Sequence, residues 1–234
     1  MNFAENLARV RERMAAACAR SGRAENSARL MAVTKTQPAE RIREALELGL
    51  RLLGENRVQE AETKRPALAG YAAEWHLIGP LQANKAARAL ALFQAVQSLD
   101  RSELARRLDR LAGERHLRPA VLLEINLGRE AQKSGILPEA AAGLAAAVLA
   151  CPNLELRGLM AIPPAADRPE AQRPYFAALR ELAGRLRHEL ALEAAPAWEL
   201  SMGMSQDYEI AIEEGATLVR LGAALFGARP PQRL

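Results

Sequence analysis

Between residues 2 and 20, Phe3, Leu7, Val10, Met14 and Cys18 recur at helical spacing with charged residues between them, which predicts an amphipathic first helix. The pattern then changes. Short apolar runs alternate with longer stretches of helical period: LMAVT (30–34), LRLLG (50–54), EWHLIG (74–79), FQAVQSL (93–99), AVLLEIN (120–126), LRGLMAI (156–162), AWELSM (197–202) and TLVRLG (217–222). The helical stretches lie near 38–48, 57–68, 81–91, 101–116, 138–150, 168–190 and 206–214. Near-continuous apolar strands alternating with helices predict a parallel sheet covered on its outer face. Eight such units favour a closed (β/α)8 TIM barrel of the α/β class over an open doubly wound sheet. No Gly-, Ser- or Pro-rich linker divides the chain, and PPAADRP (163–169) has the length of a loop, so residues 1–234 read as a single domain with an extra N-terminal helix.

Composition narrows the function. Half of the 234 residues are apolar and 26% are charged, as in an ordinary globular protein. The net charge is +4, but the arginines are interspersed with glutamates and form no basic block, which argues against a nucleic-acid partner. Two cysteines, Cys18 and Cys151, with no CxxC and no Cys/His cluster, indicate neither a disulfide framework nor a zinc site and fit a reducing cytoplasm. Charges every few residues at the N-terminus exclude a secretory signal, and Glu5 and Glu12 argue against a transit peptide. No run approaches membrane-spanning length. No aromatic-rich exposed stripe marks an interface, which favours a monomer.

In a barrel of this kind, ligand chemistry sits in the loops at the carboxyl ends of the strands. The unusual residues collect there: Lys35 after the first run, Glu55 and Asn56 after the second, His76 in the third, Asp100 and Arg101 after the fourth, and Asn126 and Lys133 after the fifth. Met160 closes the sixth, SMGMS (201–205) follows the seventh, and Arg220 and Gly222 end the eighth. Four of the 32 basic residues are lysines (Lys35, Lys64, Lys85, Lys133), leaving 28 arginines. An arginine supplies charge, whereas a lysine can also lose its proton and condense with an aldehyde. SMGMSQDYEIAIEEG reads as a strand, a glycine turn and a helix opened by Ser205 as N-cap, a place where N–H groups and hydroxyls could meet a phosphate. Asp207 beside it competes for the same donors. Gly222 lets backbone approach a ligand. Arg220, within an apolar strand, either meets a carboxylate such as Glu124 or faces a ligand. His76 beside Trp75 has the setting of a satisfied core histidine, and Met202 and Met204 that of packing residues.

The stretches AVTKTQ, GENRVQE, WHLIGPLQANK, SLDR, LLEIN with the following KSG, LRGLMAI, LSMGMSQDYEIAIEEG and VRLGAALFG run in this order from about residue 30 to about residue 228. Together they resemble the pyridoxal phosphate homeostasis proteins, also called the proline synthase co-transcribed bacterial homologue family. The resemblance implies a barrel similar to the N-terminal domain of alanine racemase, binding pyridoxal 5′-phosphate (PLP). By this likeness Lys35 forms a Schiff base with PLP and Arg220 faces the pyridine nitrogen. Ser201, Ser205, Gly222 and Ala223 surround the phosphate, the last two through backbone N–H groups. Asn56 and His76 lie near the ring, and Met202 packs against the cofactor. Two positions depart from the family pattern: Ala223 stands where Thr or Ser is usual, removing one hydroxyl, and Arg57 stands where an aromatic residue is common.

An arginine facing the pyridine nitrogen keeps it unprotonated and weakens the ring as an electron sink, although alanine racemase works with a similar arginine. Racemisation also needs bases on both faces of the substrate carbon, and the racemase takes its second, a tyrosine, from another domain. Here the chain ends at Leu234, soon after the eighth run, and none of Tyr71, Tyr175 and Tyr208 stands at a strand end. The expectation is a PLP-binding protein without robust catalytic activity that stores and delivers PLP, with apo PLP-dependent enzymes as partners, in vitamin B6 and amino-acid homeostasis. The alternatives are a weak PLP-dependent amino-acid racemase and a cofactor-free barrel aldolase using Lys35.

Overall fold

Each of the eight apolar runs forms a strand. A computed structural model of the protein describes residues 2–192, 194 and 196–227, so the chain end at Leu234 lies outside the described residues. The elements in order are α1 (Phe3–Arg20), β1 (Arg29–Val33), α2 (Ala39–Glu47), β2 (Leu52–Glu55), α3 (Val58–Lys64), β3 (Glu74–Leu77), α4 (Ala86–Leu92), β4 (Ala95–Leu99), α5 (Ser102–Gly113), β5 (Ala120–Ile125), α6 (Ala141–Leu149), β6 (Glu155–Ala161), α7 (Arg173–Glu189), β7 (Glu199–Ser201), α8 (Tyr208–Glu213), β8 (Leu218–Leu221) and α9 (Ala223–Phe226). The strands pair in sequence order, all parallel, and β8 returns to β1 with Ala32 opposite Leu221, closing the barrel. This is the expected (β/α)8 architecture.

The two faces of each strand bury different chemistry. Outward residues such as Ala32, Leu53, Leu77, Val96, Leu123, Leu159 and Val219 join the large core beneath the helices. Alternation along each strand turns the residues between them into the barrel. There Met31, Val33, Leu52, Ile78 and Leu218 form a small apolar cluster on the β1, β2, β3 and β8 side. His76, Gln97, Glu124, Ser201 and Arg220 are buried as well, making much of the remaining interior polar.

The sequence pattern overestimates several helices. Residues 65–68 form a separate 3-10 turn after α3, and residues 138–140 and 169–172 form 3-10 turns ahead of α6 and α7. Each of these turns contains a proline near its start, where the missing N–H removes no helical bond. The short α9 was not expected from the pattern. Among the described residues, no helix is long and apolar enough to cross a membrane.

Helix α1 buries Phe3, Leu7, Val10, Met14 and Cys18, the face marked by its sequence. A capping box starts it: Asn2 Oδ1 accepts from the Glu5 amide at 2.9 Å and Glu5 Oε2 accepts from the Asn2 amide at 3.1 Å. The helix packs across α8 and α9, where the Phe3 and Phe226 rings lie 5.0 Å apart and Asn6 Nδ2 donates to the Leu225 carbonyl at 2.9 Å. It thereby braces the segment after β8. Phe3→Ala should lower unfolding stability by about 3 kcal/mol, read as a reduced urea midpoint at constant m-value, because Phe3 is only 2% exposed.

Candidate functional site

A cavity of about 470 Å³ opens at the carboxyl ends of the strands. Lys35, Asn56, Ser205, Arg220, Gly222 and Ala223 line it, so most of the expected site residues meet at one place. Val33, Ile78, Ile162 and Met204 supply apolar wall, and Gln37, Gln206 and Asp207 complete much of the polar part.

Lys35 lies two residues beyond β1, on a turn with unusual backbone. Thr36 has φ +63, a left-handed conformation that a β-branched residue rarely adopts. Surrounding bonds hold it there: the Thr36 amide donates to Glu60 Oε2 at 2.9 Å and the Gln37 amide to the Thr34 carbonyl at 3.0 Å. Beneath the turn, Lys64 Nζ donates to the Thr34 carbonyl at 2.8 Å, to Glu55 Oε1 at 2.7 Å and to Glu60 Oε2 at 3.1 Å. Thr34 Oγ1 donates to the same Glu55 oxygen at 2.7 Å. Burial pushes the Glu55 carboxyl up, and the Lys64 ammonium opposes that shift. Glu55 therefore faces out of the barrel and clamps the Lys35 turn instead of bordering the cavity. Lys64, one of four lysines in the chain, is committed to this clamp.

Asn56 stands at the end of β2, and the loop after β3 closes directly over it. A Cβ on Gly79 would lie 2.3 Å from the Asn56 carbonyl oxygen, so only glycine permits that approach. Of the other lysines, Lys133 pairs with Glu130 and donates to the Pro163 carbonyl at 3.2 Å; neither Lys133 nor Lys85 lines the cavity.

In the loop after β7 the structure corrects one expectation: Ser205 is not a helix N-cap. Asp207 Oδ1 accepts from the Met204 amide at 2.6 Å, and the Tyr208 amide bonds to the Met204 carbonyl at 2.9 Å. Residues 205–207 therefore form a turn, and α8 starts only at Tyr208, with Asp207 at its cap position. The Ser205 hydroxyl instead accepts from the Ala224 amide at 3.1 Å, tying this turn to the segment after β8. Asp207, raised by burial, is a cavity-lining group that sequence reasoning treated only as a competitor.

Arg220 is buried yet borders the cavity. Its Nη1 donates to the Ser201 carbonyl at 2.6 Å and to Ser201 Oγ at 2.8 Å, and its Nη2 donates to the Ala161 carbonyl at 2.9 Å. Both open alternatives receive an answer: neutral oxygens anchor it, and it also faces the cavity. Asp207 and Glu124 act on it only at longer range, opposing a desolvation that brings it down to about 10. It remains cationic at neutral pH.

His76, Ser201 and Met202 are fully buried and do not line the cavity. His76 and Ser201 lie inside the barrel, and Met202 packs into the core under the helices. His76 Nε2 is 2.7 Å from Glu74 Oε1 and its Nδ1 is 2.7 Å from Gln97 Nε2, the satisfied arrangement its setting suggested. Gln97 carried no sequence signal. The Glu60/Lys64 spacing of four on a helix was the only hint of the clamp. Among the described residues, no group of His, Cys, Asp or Glu could hold a metal ion.

Glu124 faces the interior, 7% exposed, with no hydrogen-bond partner for Oε2 among the described residues. Burial and the Asp100 charge push its carboxyl up to about 7, against the opposing pull of Arg220. In the unfolded chain the carboxyl ionises first, so the folded protein should lose stability as pH rises from about 4.5 to about 7. The loss should be on the order of 2–3 kcal/mol. Glu124→Gln cannot ionise and should lack that component, melting above the wild type at pH 8 and close to it at pH 4.5.

The model of the alanine racemase N-terminal domain matches residues 3–230. A pyridoxal phosphate homeostasis protein of Aquifex aeolicus is 47% identical over 229 residues, covering 98% of this chain and 99% of that protein. One of Pseudomonas aeruginosa is 50% identical over 230 residues, covering 97% and 96%. Among solved structures, PipY of Synechococcus elongatus PCC7942 with PLP bound superposes with a TM-score of 0.82 at 37% identity, covering 97% of this chain and 100% of that one. With near-complete coverage in both directions and the cavity built from the stretches that first carried the likeness, the chain belongs to the alanine racemase N-terminal domain family and, within it, to the pyridoxal phosphate homeostasis proteins.

Proposed function

We propose that this protein binds PLP reversibly through Lys35 and acts in vitamin B6 and amino-acid homeostasis by storing the cofactor and delivering it to apo enzymes in the cytoplasm. The observation that carries the reading is the composition of one cavity: a lysine just after β1, a serine hydroxyl after β7, Gly222 and Ala223 after the neighbouring β8, and the buried guanidinium of Arg220 on β8 itself. A volume of about 470 Å³ suits a cofactor of this size. PipY, solved with PLP bound, supports the same ligand class.

When bound, PLP supplies an aldehyde that condenses reversibly with a primary amine. The chain's residues account for the rest. The Lys35 amine is held at the cavity by the Thr36 turn and the clamp beneath it. Ser205 Oγ accepts from the Ala224 amide, which leaves its own proton to donate to a phosphate oxygen. Gly222 and Ala223 bring backbone to the same wall. Asn56 would border the bound ring, while His76 and Ser201 lie buried inside the barrel behind the cavity and Met202 packs in the core under the helices. Arg220 is a donor without acceptor capacity, so it selects an unprotonated ring nitrogen and keeps the electron sink shallow.

The titratable side chains bordering the cavity among the described residues are Lys35, Asp207 and Arg220. Tyr71 bonds Glu47 at 2.7 Å near the surface, and Tyr208 is buried beside Arg13 against α1. This distribution supports a cofactor handler over a racemase.

Purified protein incubated with PLP should turn yellow, and borohydride reduction followed by peptide mapping should place the label on Lys35. A label on Lys64, Lys85 or Lys133 would refute the site, and steady L- to D-alanine conversion lost in Lys35→Ala would refute the non-catalytic role. Ala223→Ser restores a hydroxyl beside the phosphate position and should tighten PLP binding about tenfold in a spectral titration, the scale of one hydrogen bond to a charged acceptor.

A further inference from the structure

We infer that Gln97 is a positioning residue for the cofactor site: it is the central link of a one-directional hydrogen-bond chain, Arg220 to Ser201 to Gln97 to His76 to Glu74, that fixes how the guanidinium faces the cavity. Its first test is independent of any ligand, and its second rests on the proposed binding of PLP.

The direction follows from the two ends, which have no choice of role. Arg220 can only donate. Its Nη1 donates to Ser201 Oγ at 2.8 Å, so the single hydroxyl proton is left to go to Gln97 Oε1, 2.6 Å away. With its amide oxygen used, Gln97 presents Nε2 to His76 Nδ1 at 2.7 Å, which requires a lone pair on Nδ1. From the other end, the Arg29 and Arg157 guanidiniums, 3.7 Å and 3.9 Å from the Glu74 carboxyl oxygens, keep that group ionised, so it can act only as an acceptor. His76 Nε2, 2.7 Å from Glu74 Oε1, must then carry the proton. Two independent constraints select the same tautomer.

The links come from β8, β7, β4 and β3, each projecting inward, and Ser201, Gln97 and His76 are 0% exposed, so bulk water cannot replace a lost bond. A reversed Gln97 amide would aim its N–H2 at Ser201, which already receives Arg220, and its oxygen at the Nδ1 lone pair. Glutamine supplies one acceptor and one donor at the required reach; leucine supplies neither. A consequence for the site follows. The Ser201 proton is committed to Gln97, so it is not available to a phosphate. Three bonds from Arg220 point to Ser201 and Ala161, leaving two of its five N–H groups for the cavity side.

The first test is nitrogen-15 NMR of ligand-free protein at neutral pH. The chain has three histidines, His76, His116 and His188, so assignment is direct. His76 should show a protonated Nε2 and an unprotonated Nδ1; a protonated Nδ1 or a doubly protonated ring would overturn the chain. The second test titrates PLP into Gln97→Leu, Ser201→Ala and the double variant. Each single change should shift the visible band of the bound cofactor and weaken binding about tenfold, and the double should be no worse than the weaker single, since both cut one path. An unshifted band with unchanged affinity in both single variants, or additive losses, would overturn the proposal, because loss of packing alone lowers stability without moving the band. Should Gln97→Leu fail to fold, Ser201→Ala cuts the adjacent link by removing one oxygen, and an unshifted band there is decisive. Wild-type protein that takes up no PLP would refute the proposed function while leaving the NMR result to judge the chain.

Discussion

Arg220 sets the terms for the inside of this barrel. A guanidinium taken out of water needs oxygen acceptors, and the closed strand array brings two backbone carbonyls and a hydroxyl to it. Placing a carboxylate in direct contact would have cancelled its charge at the cavity; neutral acceptors hold it without doing so. Asp207 and Glu124 remain near enough to favour the charged form and too far to form an ion pair. The polar residues that replace the usual branched apolar filling on this side of the barrel, Ser201, Gln97 and His76, connect to that one requirement.

The end of the neighbouring strand β1 poses a different problem. Lys35 must be presented at the end of a strand on a turn whose backbone is unfavourable at Thr36. The compensation lies outside the barrel wall, where buried Lys64, Glu55 and Thr34 form a polar knot with the half-buried Glu60 beneath the turn. Both sites follow one logic: the side chain at the cavity is backed by a hydrogen-bonded network that faces away from it. Support of this kind keeps the side chains at a cavity in one orientation.

Within the family this chain carries an alanine at position 223, where the resemblance leads one to expect a hydroxyl. The neighbouring Ser205, anchored by the Ala224 amide, remains as the hydroxyl on that wall.

Periodicity alone was enough for the architecture. Strands buried on both faces, such as AVLLEI at 120–125, and the α1 face from Phe3 to Cys18 are spelled out residue by residue, because burial of a repeating backbone imposes a repeating pattern. The scarcity of lysine singled out Lys35, and strand-end position gathered Asn56, Ser205, Arg220, Gly222 and Ala223 with it. Tertiary structure alone decided the rest. Whether Glu55 turned to the cavity or to Lys64, whether Arg220 met Glu124 or Ser201, and whether Ser205 capped a helix or bonded to Ala224 all depend on which strands become neighbours after the barrel closes. Gln97 lies 104 residues from the serine it joins, and no local pattern in a one-dimensional chain encodes a contact whose geometry exists only once four separate strands share an interior.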